Sequence, residues 1–235
     1  MKNVTKGNGS RSGKTRVVEI VGPAGAGKTT LYQALESFNE TIRLGNFPDV
    51  HKAADASFFI LNGFQLIPNL LWLYRPNSRQ LTRREFAWMS ILYGWSDLLQ
   101  KESRYNNKVI LLDQGPVYLL AEMWLFGPEY LRQKAAERLW QDLYDHWGNT
   151  LDMVIWLDAA DDILLDRIRN RQQDHIVKAE TVEVVNKFLD RYRTEYEYLL
   201  SILTTKNAGL KILKFDTRWQ KPQDIVNQFM SELSC

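Results

Sequence analysis

The stretch Gly22-Pro23-Ala24-Gly25-Ala26-Gly27-Lys28-Thr29 leaves this chain few folds to choose from. It fits G-x-x-x-x-G-K-[ST], and its flanks fit as well. Val17, Val18, Ile20 and Val21 precede it as an apolar strand, and Leu31, Ala34, Leu35 and Phe38 follow at helical spacing. Glycines permit backbone angles that side chains forbid, so consecutive N–H groups can turn inward around a phosphate. The helix that follows adds the positive end of its dipole at the same point. Gly22, Ala24, Gly25, Ala26, Gly27, Thr29 and Thr30 are therefore the candidate phosphate cradle. Lys28 would reach the β- and γ-phosphates, and the Thr29 hydroxyl would bind Mg²⁺. The alternative is a glycine-rich turn that matches by chance, and the strand and helix on either side weigh against it. Ser12-Gly13-Lys14-Thr15 shows what a chance match looks like: the glycine it needs is Asn8, and no strand precedes it.

A chain of 235 residues, 45% of them hydrophobic, can bury one large core, so a single α/β domain is expected. Its net charge of +2 hides an uneven distribution. Residues 1–16 hold five of the 30 basic residues and no acid, so the remainder carries 25 against 28 acidic residues. The domain is thus not a basic body that would seek nucleic acid. Residues 1–15, polar and rich in Gly and Ser, read as a flexible basic tail, and 16–235 as the folded domain. The tail lacks the apolar core of a signal peptide. The single cysteine, Cys235, excludes an intramolecular disulfide. The most apolar stretch, Ser57–Tyr74, is interrupted by Asn62, Gly63, Gln65, Pro68 and Asn69, and reads as a buried helix rather than a membrane span. A soluble cytoplasmic protein is expected.

Apolar strands alternate with helical stretches, the pattern of a doubly wound parallel sheet. The expected strands are 17–21, 108–113, 153–158 and 210–215, with a weaker one near 41–46. Thr82 and Glu85 form a capping box at the start of a helix to about Glu102. Further helices are expected at 116–126, 129–147, 161–171 and 181–203, and Pro222 should open the terminal one. Ligands of open α/β sheets bind beyond the carboxyl ends of the strands, so residues just past strand ends are the ones to search.

Asp113 ends its strand before Gln114-Gly115-Pro116, where an acid can bind a Mg²⁺ water or take a proton from an attacking hydroxyl. It could equally cap the next helix, with Pro116 at the first position. Asp158 ends its strand in the same way, but Asp158-Ala-Ala-Asp161-Asp162 reads better as the acidic start of a helix. Arg167 and Arg171 share a helix face ahead of the polar stretch Gln172-Gln173-Asp174-His175. Guanidinium groups on a closing lid stabilise the charge spread over a transferring phosphoryl group. The bland reading is cations favoured at a helix C-terminus. Arg83 and Arg84 stand where a helix dipole disfavours cations, which hints at an anionic acceptor as readily as at a solvated pair. His51, His146 and His175 show no metal-ligand spacing, and the tryptophans Trp72, Trp88, Trp95 and Trp124 read mostly as core.

The order of parts resembles the P-loop kinases of the thymidylate kinase and deoxynucleoside kinase group. The resemblance covers nearly all of the chain after residue 16: GPAGAGKTT, the strand LLDQG, the segment IWLDAADDILLDRIRNR, the helix with FLDRYRTEYEYLL and the late strand KILKFDT. It implies a P-loop NTPase fold, a five-stranded parallel sheet with helices on both faces and a lid in a single domain. It implies transfer of the ATP γ-phosphate to a nucleoside or nucleoside monophosphate, with Mg²⁺. Phosphate binding falls on Gly22, Gly25, Gly27, Lys28 and Thr29, and a lid role on Arg167 and Arg171. Where that group shows Asp-Arg-Tyr, Asp-Arg-His or Glu-Arg-Ser, this chain has Asp113-Gln114-Gly115. Either Arg83 or Arg84 replaces the lost cation beside Gln114, or the acceptor is not a nucleotide. A kinase of another metabolite or antibiotic hydroxyl is the second reading, and a regulatory nucleotide-binding protein the third. A GTPase switch fits poorly, since Asp113 is followed three residues on by Pro116, and Thr205-Lys206-Asn207-Ala208 lacks the guanine-reading acid. The expected partners are a small-molecule acceptor and, as an option, a second copy of the chain, with no nucleic acid and no membrane.

Overall fold

The computed structural model describes residues 15–38, 40–45, 47–73, 78–103 and 109–234. Five strands, β1 Val17–Val21, β2 Ile42–Leu44, β3 Val109–Asp113, β4 Met153–Asp158 and β5 Lys211–Asp216, pair in the order β2-β3-β1-β4-β5. Every pairing is parallel. The three central strands are buried along their length, β3 and β4 as continuous apolar runs up to their terminal aspartates and β1 as an apolar run broken by the buried Glu19. β5 is an edge strand and alternates instead, with Leu213 and Phe215 buried and Lys211 and Lys214 exposed. Lysines on an edge discourage pairing with another chain.

Among the described residues eight α-helices surround the sheet: α1 Lys28–Glu36, α2 Ala56–Leu73, α3 Arg83–Ser103, α4 Pro116–Phe126, α5 Glu137–Gly148, α6 Asp161–Asn170, α7 Val182–Lys206 and α8 Pro222–Ser234. Alternate strand residues feed two cores. Val17, Val21, Ile110, Leu112, Val154 and Trp156 face α3, α4, α5 and part of α7. Val18, Ile20, Leu111, Ile155 and Leu157 face α1, α6, α8 and the start of α7. The five-stranded parallel sheet with helices on both faces is as expected.

The structure departs from the sequence reading at two helices and at the tail. The apolar stretch is helical over its described residues, 57–73, as α2, but it is not buried; Tyr74 lies outside the described residues. Ile60, Leu61, Phe64, Leu71 and Trp72 are each more than half exposed. By length and composition α2 passes for a membrane-crossing helix, yet its Asn62, Gly63 and Leu66 are buried, and it packs mainly on α3. Apolar content marks a helix but does not say how many of its faces find a neighbour. The helix expected at 129–147 begins only at Glu137, after two short 3₁₀ turns broken at Gln133, whose backbone is extended (φ −82°, ψ 155°). Arg132 turns back there to donate to the carbonyls of Trp124 and Gly127 at 2.8 and 3.0 Å, ending α4 rather than continuing a helix. Of the expected tail, residues 1–14 lie outside the described residues, as do Asn46 and Lys108 of the expected strands and Cys235. Thr15, assigned to the tail, is buried.

The capping box stands as expected: Thr82 N donates to Glu85 at 2.8 Å, and Glu85 N to the Thr82 hydroxyl at 3.2 Å. Arg79 adds a two-pronged ion pair to the same carboxylate, both bonds at 2.8 Å, and donates to the last carbonyl of α4, Phe126 O, at 2.7 Å. The start of α3 and the end of α4 are thereby joined. The Arg79 guanidinium holds the Glu85 carboxyl down at about 2. A depressed carboxyl stabilises above its unfolded value of 4.5 and loses that contribution as pH falls through about 2. Glu85→Gln is therefore expected to cost about 1 kcal/mol at pH 7, and its melting temperature should converge on the parent's between pH 4 and 2. Thermal melts of both proteins across that range check it.

Candidate active site

β1 ends in the middle of the sheet, and the chain leaves it through a turn that only glycine tolerates. Gly22, Gly25 and Gly27 have φ of 151°, 81° and 93°. A Cβ on Gly22 would lie 2.2 Å from the Leu157 carbonyl oxygen of β4, and one on Gly25 2.8 Å from the Leu164 carbonyl oxygen of α6. The loop is curled, with Ala26 N donating to Pro23 O at 3.3 Å, and Gly27 leads directly into α1. Lys28 folds back under it, donating to the carbonyls of Gly22 and Pro23 at 2.7 and 2.9 Å. Burial lowers its pKa to about 8, with Asp113 opposing that shift and Arg171 adding to it. An ammonium satisfied only by neutral carbonyls is ready to exchange them for an anion. Thr29 and Thr30 open α1 at the mouth and are exposed.

The loop forms one end of a cleft of about 1190 Å³. That is more than a single drug-sized ligand requires. Arg167, Thr217, Gln220, Pro222 and Ile225 continue the wall on the α6 and α8 side. Arg84, Gln114, Tyr118, Glu122, Phe126, Phe188 and Tyr192 form the opposite half. The loop between α6 and α7, with Gln173, Asp174, His175 and Ile176, borders both.

Most residues singled out from the sequence meet at this cleft, though in different surroundings. Arg171 lines it and donates to the carbonyls of Gln173 and Asp174 at 3.3 and 3.2 Å, which gathers the loop beside Lys28. Arg167 also lines it, but its guanidinium is tied to Thr217, Oγ1 at 2.8 Å and O at 2.9 Å, and to Gly25 O at 3.3 Å. Asp113 ends β3 half-buried, close to Lys28 but not among the residues that line the cleft. Burial raises its pKa, and the nearby Lys28 ammonium and the Gln114 amide pull it down. Gln114 lines the cleft in a left-handed conformation, φ 56°, the one positive φ outside glycine among the described residues. Such strain clusters at functional sites. Arg84 lines the cleft and lies over the Trp88 ring at 4.3 Å, whereas Arg83 is exposed and outside the lining. No three His, Cys, Asp or Glu side chains gather into a metal cluster among the described residues. The Thr29 hydroxyl and the Asp113 carboxyl are the oxygen donors at the loop that suit a hard cation.

Asp158 is committed elsewhere. Arg193 of α7 donates to both its oxygens, at 2.9 and 3.2 Å, to Asp161 at 2.6 Å, to Asp190 at 3.1 Å and to Ala159 O at 2.9 Å. Those bonds raise the arginine's pKa and clamp the end of β4 and the start of α6 to α7. The acceptor-side residues are what sequence reading missed. Tyr192 donates a short bond to Glu122, and Tyr118, one turn before Glu122 on α4, bonds the same carboxylate. Burial and the Glu122 charge push both phenols up. Phe126 and Phe188 stack at 6.5 Å, Phe188 meets Tyr192 at 4.9 Å, and His175 stands edge-on to Phe188 at 5.5 Å. The one signal for this wall was the spacing of Tyr118 and Glu122 after a strand end, which resembles an ordinary helix face.

Known structures share this architecture. The structure of thymidylate kinase from Candida albicans matches with a TM-score of 0.53 and 15% identity, over 94% of this chain and 92% of that one. A deoxyadenosine kinase from M. mycoides with the products dCMP and dCDP bound matches with 0.50 and 15%, over 93% and 98%. The fold is that of a P-loop kinase. The YorR protein from Bacillus subtilis, in complex with phosphorylated GDP, matches with 0.50 and 16%, over 93% and 95%. No family model and no curated relative matches the sequence, so this P-loop kinase fold is a divergent one. Within it Arg193 is a structural clamp that the glycine loop leans on through β4 and α6. Arg193→Met leaves Asp158 and Asp161 facing each other and is expected to cost about 1–3 kcal/mol. Urea unfolding of variant and parent measures it.

Proposed function

We propose that this chain is an ATP- and Mg²⁺-dependent small-molecule kinase whose acceptor is an uncharged hydroxyl compound of nucleoside size. The observation that carries the reading is the contrast between the two halves of one cleft. The glycine loop, Lys28 and Arg171 make one end suited to a triphosphate. The other end has an aromatic wall of Phe126, Phe188 and Tyr192 and the Glu122 carboxylate held by two phenols. Its one arginine, Arg84, rests on Trp88, and Gln114 stands where a cation would meet an acceptor phosphate. A dianionic monophosphate would face Glu122 there, whereas a flat neutral ring would stack on the aromatics and donate to that carboxylate. The deoxyadenosine kinase neighbour supports a nucleoside as that ring, whereas the thymidylate kinase neighbour, by its name, acts on a monophosphate.

In the proposed reaction the acceptor hydroxyl attacks the γ-phosphorus in line. The new O–P bond forms as the bond to the bridging oxygen of ADP breaks, and the hydroxyl proton passes to the Asp113 carboxylate. Lys28 leaves its two loop carbonyls for the phosphates, and Arg171 neutralises charge from the lid side. The Thr29 hydroxyl would hold the Mg²⁺, which would supply charge neutralisation at the phosphates when bound.

ADP release from ATP and Mg²⁺ in the presence of deoxyadenosine, deoxycytidine, thymidine, dTMP, dCMP and an aminoglycoside tests this. A nucleoside is expected to drive turnover and its monophosphate is not; turnover with dTMP alone would overturn the acceptor assignment. Lys28→Ala is expected to lower kcat by roughly 10²–10³-fold with an unchanged melting temperature. Undiminished ATP consumption in that variant would sink the kinase reading.

A further inference from the structure

A glutamate sits in the middle of the central strand and has no part in the chemistry above. Glu19 is fully buried between Val18 and Ile20, and its side chain leaves the sheet on the α4 side. Its two oxygens accept bonds from consecutive main-chain amides, Oε2 from Val117 N at 2.9 Å and Oε1 from Tyr118 N at 3.0 Å. These are amides that α4 cannot satisfy itself. Pro116, at the start of the helix, has no N–H, and Gly115, the N-cap, has no side chain to accept one. Leu119 N already closes on the Gly115 carbonyl at 3.0 Å. A helix start is ordinarily capped by the residue just before it; here the cap comes from a strand 98 residues earlier in the chain. Gly115 makes the approach feasible, because a Cβ there would lie 2.7 Å from the Glu19 carboxyl carbon.

A carboxyl group in a sheet core is costly unless its bonds do something. Burial pushes the Glu19 carboxyl up to about 8, with Asp113 adding to the shift and the amides of α4 opposing it. What those amides hold is the acceptor wall. Gln114, strained and lining the cleft, lies three residues before Val117, and Tyr118 and Glu122 occupy successive turns of the same helix. The strand that carries Glu19 becomes the phosphate loop three residues later, at Gly22. One side chain therefore links the two halves of the cleft.

We propose that Glu19 is a positioning residue for the acceptor half of the cleft, capping α4 from β1 and so setting Gln114, Tyr118 and Glu122 against the phosphate loop. The proposal rests on the reading that donor and acceptor share this cleft. It also explains why the α4 N-terminus, a ready-made anion site, does not offer itself to an acceptor phosphate: the two oxygens of an internal carboxyl group already use its free amides.

Glu19→Gln in the full chain tests it, since the amide keeps the volume but sets an NH₂ group against one of the two donors. Three measurements are made: hydrogen exchange at Val117 and Tyr118, affinity for Mg²⁺·ADP, and kcat and KM with deoxyadenosine and thymidine. Exchange at the first turn of α4 is expected to quicken, ADP affinity to stay within about twofold, and acceptor KM to rise about tenfold with a smaller change in kcat. Unchanged exchange in α4 would overturn the proposal. So would ADP affinity falling in step with the acceptor's, the signature of general loosening. Should the parent phosphorylate no nucleoside, the kinase reading fails, and exchange with ADP affinity still decides the role of Glu19. Gly115→Ala, which crowds the same carboxyl from the other side, is expected to give the same pattern and carries the test if the glutamine variant does not fold.

Discussion

The close approach of the glycine loop to the carbonyls of Leu157 and Leu164 is the contact on which the cleft depends. It lets β1 pass straight into α1 while the turn lies flat on the end of β4 and the side of α6. β1 is the middle strand of the five, flanked by β3 and β4, so their carboxyl ends open beside the loop. This is the place where open parallel sheets take their ligands. Asp113 and Gln114 arrive from one flank and Asp158 with Arg193 from the other. A side chain at Gly22 or Gly25 would separate these elements before it touched any ligand.

The arginines around the cleft divide by what already occupies them. Arg193 is consumed by three carboxylates and a carbonyl, Arg167 by Thr217 and Gly25, and Arg84 by the face of Trp88. Among the described residues Arg171 bonds only main-chain carbonyls of its own loop, and Lys28 only those of the phosphate loop. These last two are the cations with the least to lose on meeting an anion, and Arg171 stands near enough to Lys28 to help lower its pKa. Glu122 stands at the aromatic end with Glu19 beneath the same helix, while Asp113 lies near Lys28 and Asp174 beside Arg171. The aromatic wall at one end and the two main-chain-bonded cations at the other give the cleft a direction before any ligand enters.

Much of the frame was legible along the chain because its signals are local. The capping box of Thr82 and Glu85, the prolines at 116 and 222 and the apolar runs of β1, β3 and β4 each act within a few residues. The candidate site was legible where it is a loop motif, at 22–30, and where residues follow strand ends, at Asp113 and Gln114. It was not legible in the acceptor wall. Tyr118 and Glu122 belong to an apolar helix, and Phe188 and Tyr192 to an ordinary amphipathic one, and nothing local marks which face borders a cavity. α2 failed for the complementary reason: eighteen residues without a charge announce a helix, yet only the packing of its neighbours sets which of its faces are covered.

From residue order alone follow the phosphate-loop conformation, the alternation of strands and helices and the parallel sheet, because steric limits on glycine, capping chemistry and apolar periodicity operate over one or two turns. The pairing of Glu122 with Tyr192 across 70 residues, of Arg193 with Asp158 across 35 and of Glu19 with α4 across 98 belongs to the folded chain. These contacts unite groups whose individual sequence surroundings are unremarkable. Their partners are chosen by how the helices stack on the sheet, and a buried charge can exist only once that stacking has brought its donors within reach.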